Sequence, residues 1–513
     1  DFISIRPVGS GFLHSINFLF PGHLIVNARW FVLLQFFIIA LVIAGLCYRT
    51  LSEKIKSRKT IVLVALLTSG FFLTVLNYNL YSWTTIDALF WSVLSIPFII
   101  QQKKPVFNAI GLIFLCFSAL SRQTFALICI LGFLYTFYQY RKTFIKAIPI
   151  ILIGALPLIA YFIYLLTNSA LSDFFNLMTG KTEFLQTAII QFLKRFVLNL
   201  TTPLNLVCLF VSILLFIKRS SGLKELFVNK GFHAVFAIVY MLFSFILTIK
   251  YFLSAEQDIF GLPFELFFML IFVGLFHWLI LPESRTLRKT VVFVLLISWV
   301  SAISLGDNTP VFATGILFVS LFTICLDIIL SLTSKFRTIS TNPWLLLAIS
   351  IIIAISGMYS QQKFNYRDNP SKKLTSGLSY SSEEFGNIMT NPALIAYYSD
   401  IKDIFDTLPN AANNTIVFPH NAIFYPVMET ENPMSLDWLI ANEYIGQEDR
   451  IKSDLENLKQ RKTTYFLVDK IDLRTIHETI KPRLYNDDII FEYILENCNE
   501  IPCNSDFIRI YRL

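Results

Sequence analysis

The residues of this sequence that could do chemistry are ionisable groups stranded at the edges of long apolar runs. Arg122 is the sharpest. It stands in "SRQT" (121–124), a polar break inside an apolar stretch from 107 to 138, where neither lipid nor a regular helix favours a cation. A guanidinium at a membrane edge can hold a phosphate through two parallel hydrogen bonds. Its ordinary alternative is to snorkel towards the headgroups. Gln123 shares the break. Asp87 stands near the start of the run 84–100, where a carboxylate caps a helix and meets the favourable end of its dipole; the other role for such a group is acid–base catalysis.

Further polar groups fall on the same side of the pattern. Arg29 precedes the first long apolar run, Tyr78, Asn79 and Tyr81 sit in "NYNLYSW", and Lys250 ends another run. Asp1 and Arg6 belong to the opening segment, Glu256, Asp258 and Glu265 lie in or near "SAEQDIFG", and Asp307 and Asn308 lie in "GDNTP". For Lys250, snorkelling competes with a phosphate contact. Asp258 and Glu256 also fit a solvated loop, and "GDNTP" is first of all a turn. His277 and Asp327 lie at the opposite ends of their runs and read as packing or interface residues. No phosphate-cradling glycine loop, dinucleotide fingerprint, zinc triad or nucleophile elbow occurs, which argues against ATP-driven transport.

The elements that must position these groups are membrane helices. Of 513 residues, 55% are hydrophobic and 15% charged, more apolar surface than a soluble domain can hide. Runs near bilayer length fall at 30–48, 60–77, 84–100, 145–166, 200–217, 232–253, 262–281, 289–305, 311–332 and 343–359. With a hairpin of two short helices over 107–138, the expectation is about twelve helices. Basic runs at 48–59, 101–104, 140–146, 218–224, 283–289 and 334–337 alternate with poorly charged connections. Placing all six inside satisfies the positive-inside rule, and the net charge of +7 is therefore a topology signal that does not call for nucleic acid.

With 30–48 descending from outside, the opening "DFISIRPVGSGFLHSINFLFPGHLIVNAR" is expected to be the remainder of an external loop, with one helix missing before it. After 360 the composition turns charged and Asn-rich. "NTIVFPH" (414–420), "TTYFLVD" (463–469) and "DFIRIYRL" (506–513) read as strands and 448–461 as a helix, which predicts an extracytoplasmic α/β domain. The organisation expected is thus 1–29 loop, 30–360 membrane domain, 361–513 α/β domain. Cys47, Cys116, Cys129, Cys208 and Cys325 fall in apolar runs and read as core residues. Cys498 and Cys503 read equally as a disulfide or as two thiols.

The opening segment resembles the second half of the first external loop of C-type-fold membrane glycosyltransferases, the group of bacterial protein O-mannosyltransferase and aminoarabinose transferase relatives. The resemblance rests on Asp1-Phe2, Pro7, the amphipathic 11–20, Pro21-Gly22 and Arg29, and on "GLIFLCFSALSRQTFAL" (111–127), where Ser121-Arg122 stands in place of the usual Lys. It implies an inverting enzyme of the bacterial inner membrane and cell envelope. Such an enzyme moves a sugar from a polyprenyl-phosphate donor to a glycan, lipid or protein acceptor among the membrane lipids. It also implies that the principal catalytic Asp precedes Asp1, so that the chain begins just past it. Asp1 and Asp87 are the catalytic candidates within the sequence. Arg122, Gln123, Arg29, Tyr78, Tyr81, Lys250, Asp258 and Asp307 are the substrate-binding candidates. No cofactor is called for, and a divalent metal is left open. The rival readings are a flippase or transporter of lipid-linked saccharides, an O-antigen polymerase or ligase, and a membrane protein whose tail binds a partner. A transporter would spread polar groups along a midplane path between two related halves.

Overall fold

A computed structural model describes residues 9–55, 58–77, 80–101, 104–172, single positions and short stretches between 174 and 214, 230–254, 261–281, 284–303, 309–332, 342–363 and most of 369–513. Masked stretches within the last range are 371–372, 375, 378–384, 387, 420–423, 435–438, 440–447, 462, 478 and 486–487. The described residues are mostly helical, followed by a small sheet near the C-terminus. Five helices are long and apolar enough to cross a membrane, or six if one bent pair is a single span. These features mark a helical membrane protein.

A short helix α1 (Gly9–His14) leads through a 3₁₀ turn, Ser15–Leu19, into α2 (Leu24–Ser52). The bundle continues with α3 (Lys59–Val75), α4 (Thr84–Ile96), α5 (Pro105–Ser121), α6 (Ala126–Gln139), α7 (Phe144–Gly154) and α8 (Leu156–Thr167). After the sparsely described stretch come α9 (Lys230–Leu253), α10 (Gly261–Ile280), α11 (Arg285–Ala302), α12 (Thr314–Leu332) and α13 (Pro343–Lys363). The expected count of twelve spans is not reached among the described residues, and most of 200–217 lies outside them. The single span expected at 145–166 is instead the pair α7–α8, bent by 56°. Its cause is Pro157 in the first turn of α8, whose ring cannot follow a preceding helical turn.

α12 is the axis of the bundle. Its span is 89% buried, and every residue from Thr314 to Leu330 is enclosed by neighbours. Gly315 lets it cross α3 closely, since a Cβ there would overlap the backbone oxygen of Gly70; small residues at such crossings give membrane helices their van der Waals contact.

Polar contacts tie the helix ends together. At one end, Lys54 bonds Asp327 and Ser331, Asn108 bonds Gln139 and Tyr140, Arg58 lies over Trp344 and Lys289 over Tyr135. At the other end, which the basic runs avoid, Asn77 donates to Thr314 and accepts from Tyr251.

In the C-terminal region, the ribbon β1 (Ser376–Gly377) and β2 (Met389–Thr390) precedes α14 (Pro392–Thr407). Then follow β3 (Thr415–Phe418), α15 (Phe424–Val427), α16 (Glu448–Lys459), β4 (Tyr465–Asp469), α17 (Ile489–Asn497), β5 (Asn499–Ile501) and β6 (Ile508–Arg512). The sheet order is β3-β4-β6-β5. The pair β3–β4 is parallel, with Thr415 opposite Tyr465, and β4–β6 and β6–β5 are antiparallel. Because side chains alternate across a strand, Ile416, Phe418, Phe466 and Val468 meet α16 and α17 on one face. Val417, Tyr465 and Leu467 meet α14 on the other. Asn391 caps α14 and Asp488 caps α17, each satisfying first-turn N–H groups. Cys498 and Cys503, where two readings were open, are free thiols.

Candidate functional site

The end of the bundle that lacks basic runs gathers groups from widely separated stretches. α1 lies on the last turn of α5. A Cβ on Gly9 would stand 2.6 Å from the backbone carbon of Leu120 and 2.7 Å from Ser121 N, so the close approach depends on the missing side chain. At the far end of α1, roughly 8 Å along its axis, His14 reaches α4. Its Nε2 lies 3.0 Å from Asp87 Oδ1. The same oxygen accepts from Gln35 Nε2 on α2 at 2.8 Å. Asn17 Nδ2 lies 3.1 Å from His14 Nδ1, and Phe31 packs edge-on against the ring at 5.4 Å.

This arrangement corrects the capping role expected for Asp87. Trp83 is the N-cap of α4 and no side chain caps it. Asp87 lies a turn inside, its own N–H bonded to Trp83 O, and its carboxylate points sideways into α1 and α2. It is 1% exposed, and Oδ2 has no hydrogen-bond partner among the described residues.

Arg122 marks a genuine break. α5 closes with Arg122 N on Ser118 O, the chain turns extended at Arg122, and a 3₁₀ turn, Gln123–Phe125, starts α6. Its Nη2 donates to the carbonyl of Ile303 at 2.7 Å. Ile303 ends α11, where helix carbonyls lack intrahelical donors and a cation is favoured by the dipole. The ordinary role of this arginine is thus closing a neighbouring helix, which is more specific than snorkelling. Gln123 is half-buried beside it.

Arg29 lies over the Tyr81 ring, 5.5 Å from its centroid. Tyr398, from α14, stands close enough to Tyr81 and Asp469 that both add to the burial that holds its phenol above the usual tyrosine range. The tail therefore reaches this end of the bundle. Phe385, Ile388 and Val427 also pack against Ile25 and Val26 at the start of α2. Lys250 is exposed near the end of α9, and Glu265 is half-buried in α10. Asp1, Arg6, Tyr78, Asn79, Glu256, Asp258, Asp307 and Asn308 lie outside the described residues. Among those described, no group of three or more His, Cys, Asp or Glu could hold a metal ion.

Sequence reasoning missed His14, Gln35 and Asn77. Gln35 carried a usable signal, since an amide inside a bilayer-length apolar run is costly and defaults to a functional or interhelical role. His14 carried none, because its partner is 73 residues away. What the arrangement can do is accept a proton at a buried carboxylate and place a cation about one short helix away. Compared with known protein families, characterised proteins and solved structures, the chain matches none.

Proposed function

We propose that the chain is an inverting membrane glycosyltransferase of the C-type kind, moving a sugar from a polyprenyl-phosphate donor to an acceptor hydroxyl at the extracytoplasmic face. One observation carries this reading. Of the polar residues that the sequence assigns to one side, α1 bridges two, touching the buried carboxylate of Asp87 at one end and the helix break before Arg122 at the other. Such a site has the two charges the reaction needs. A carboxylate takes the acceptor's proton as its oxygen attacks the anomeric carbon, and a cation balances the phosphate that leaves. External topology suits the donor, because nucleotide sugars are cytoplasmic while flipped lipid-linked sugars are presented outside. A transporter of the same lipids would instead call for polar groups along a midplane path between two related halves.

The test is transfer from a synthetic polyprenyl-phosphate sugar by the purified chain in lipid nanodiscs, with the anomeric configuration of the product determined. Arg122→Ala is expected to lower kcat on the order of 10²–10³, as loss of one preorganised donor to a developing anion does. Arg122→Lys should keep part of the rate, since the charge stays while the planar fork is lost. Thermal unfolding of each variant separates catalysis from the helix-end role. Normal turnover by Arg122→Ala, or a loss explained by unfolding alone, would leave Arg122 as the cap of α11 and nothing more.

A further inference from the structure

Asp87 presents two unlike oxygens. Oδ1 is held by Gln35 and His14, while Oδ2 is buried with no hydrogen-bond partner among the described residues. A buried carboxylate oxygen without a donor is unfavourable, so this atom is open to a hydrogen bond from an acceptor hydroxyl. Gln35 Oε1 and Ser10 Oγ on α1 are likewise buried without partners among the described residues. The imidazole is fixed at both nitrogens. With Asn17 Nδ2 donating to Nδ1, Nε2 carries the hydrogen directed at Asp87. Asn17 and Gln35 are themselves 3% and 1% exposed, so neither ring nor amide can swing away without unpacking.

Resting on the proposed transferase reading, we infer that His14 and Gln35 are positioning residues that hold Asp87 Oδ1 and leave Oδ2 as the base, the role that the resemblance gives to a carboxylate before Asp1. The step balances. The acceptor O–H proton passes to Oδ2, the acceptor oxygen forms the new bond to the anomeric carbon, and the bond from that carbon to the phosphate oxygen breaks with its electron pair. The polyprenyl phosphate is the leaving group. The first loop thereby becomes part of the catalytic geometry, since α1 delivers His14.

The experiment is a kinetic cycle on the full chain with a synthetic polyprenyl-phosphate sugar and an alcohol acceptor. Asp87→Asn should lower kcat by roughly 10²–10⁴, the usual worth of a general base. His14→Ala and Gln35→Ala should each lower kcat about tenfold or more, the scale of loss when supporting contacts let a reacting group drift, with the donor KM unchanged. His14→Gln, which can return an N–H to Oδ1, should recover part of the rate. In the Asp87→Asn background, His14→Ala should cost almost nothing further, because a positioning residue acts through the group it positions. An equal loss in both backgrounds, or full activity of His14→Ala, would overturn the positioning role while leaving the transferase reading intact. A parent chain that transfers no sugar from any polyprenyl-phosphate donor would remove that reading, and the positioning role with it.

Discussion

Single residues in this chain owe their chemistry to burial that sequence position does not announce, and Asp469 is the clearest case outside the membrane. It ends β4, is 1% exposed, accepts from Tyr397 OH at 2.7 Å and has an Oδ2 with no hydrogen-bond partner among the described residues. Burial raises its pKa to about 7, against the lowering effects of the Tyr397 hydrogen bond and the Arg483 charge, with Asp472 adding to the rise. The unfolded value is about 3.9. A carboxylate whose folded pKa is raised binds more protons in the native state across that window. Unfolding free energy therefore falls as pH climbs from about 4 to about 7 and levels off above. Asp469→Asn keeps an oxygen for Tyr397 and removes the buried charge. It should stabilise the sheet at pH 8, by on the order of 1–4 kcal/mol, and flatten the slope between pH 4 and 7. Hydrogen exchange of the β4 amides against pH reads both, and an unchanged slope would refute the assignment. In "TTYFLVD" the strand is legible by its residue types, but the side on which its terminal Asp is sealed depends on α14, which composition alone did not reveal. Asp87 repeats the lesson: its place near a helix start suggested a cap, and partners 52 and 73 residues away made it something else.

Elements were the most legible scale. Apolar runs with Gly, Pro and basic boundaries located α3 to α6 and α9 to α13, the break at Arg122, and β3, β4, β6 and α16. They failed where a local signal was weak or contradicted. Pro157 bends a run that hydropathy joins, while β5 is three residues long and follows α17 without a run of its own. They also failed to show that helix ends are knotted. Lys54, His277, Ser284 and Asp327 come from four separate stretches, and Asp327 takes hydrogen bonds from the other three. Both His277 and Asp327 are fully enclosed, so the packing role expected of them is an ionic one. Asp327→Leu is expected to destabilise by on the order of 3–5 kcal/mol, because it leaves an ammonium and an imidazole facing a buried apolar group. Adding Lys54→Met and His277→Phe should recover most of that loss, since a matched apolar cluster needs no counter-charge. Thermal unfolding in one detergent decides. A single variant as stable as the parent would mean that the knot contributes nothing to holding α10 and α12 together.

At the scale of the whole molecule, the tail and the bundle meet at the start of α2. Phe385, Ile388 and Val427 pack on Ile25 and Val26, and Tyr398 approaches Tyr81, which itself carries Arg29. Nine residues beyond Val26, or about 13 Å along the helix, the same α2 supplies Gln35 to Asp87. A tail seated there constrains the helix that holds the carboxylate. Gly386 is the joint. Its φ of +57° belongs to the left-handed region, and a Cβ would lie 2.8 Å from the His23 ring and 3.0 Å from Val26. Gly386→Val combines that clash with a backbone conformation costing about 1–3 kcal/mol for a β-branched residue. The expected result is a tail that folds but docks less well: faster hydrogen exchange over 388–395 and at 25–27, unchanged exchange in β4 and β6, and lower transfer from a polyprenyl-phosphate sugar. His23→Ala should relieve part of the defect by opening room for the new side chain, leaving the backbone strain. Unchanged exchange at 25–27 in Gly386→Val would mean that this contact does not hold the tail, and any loss of transfer would then need a cause within the tail itself.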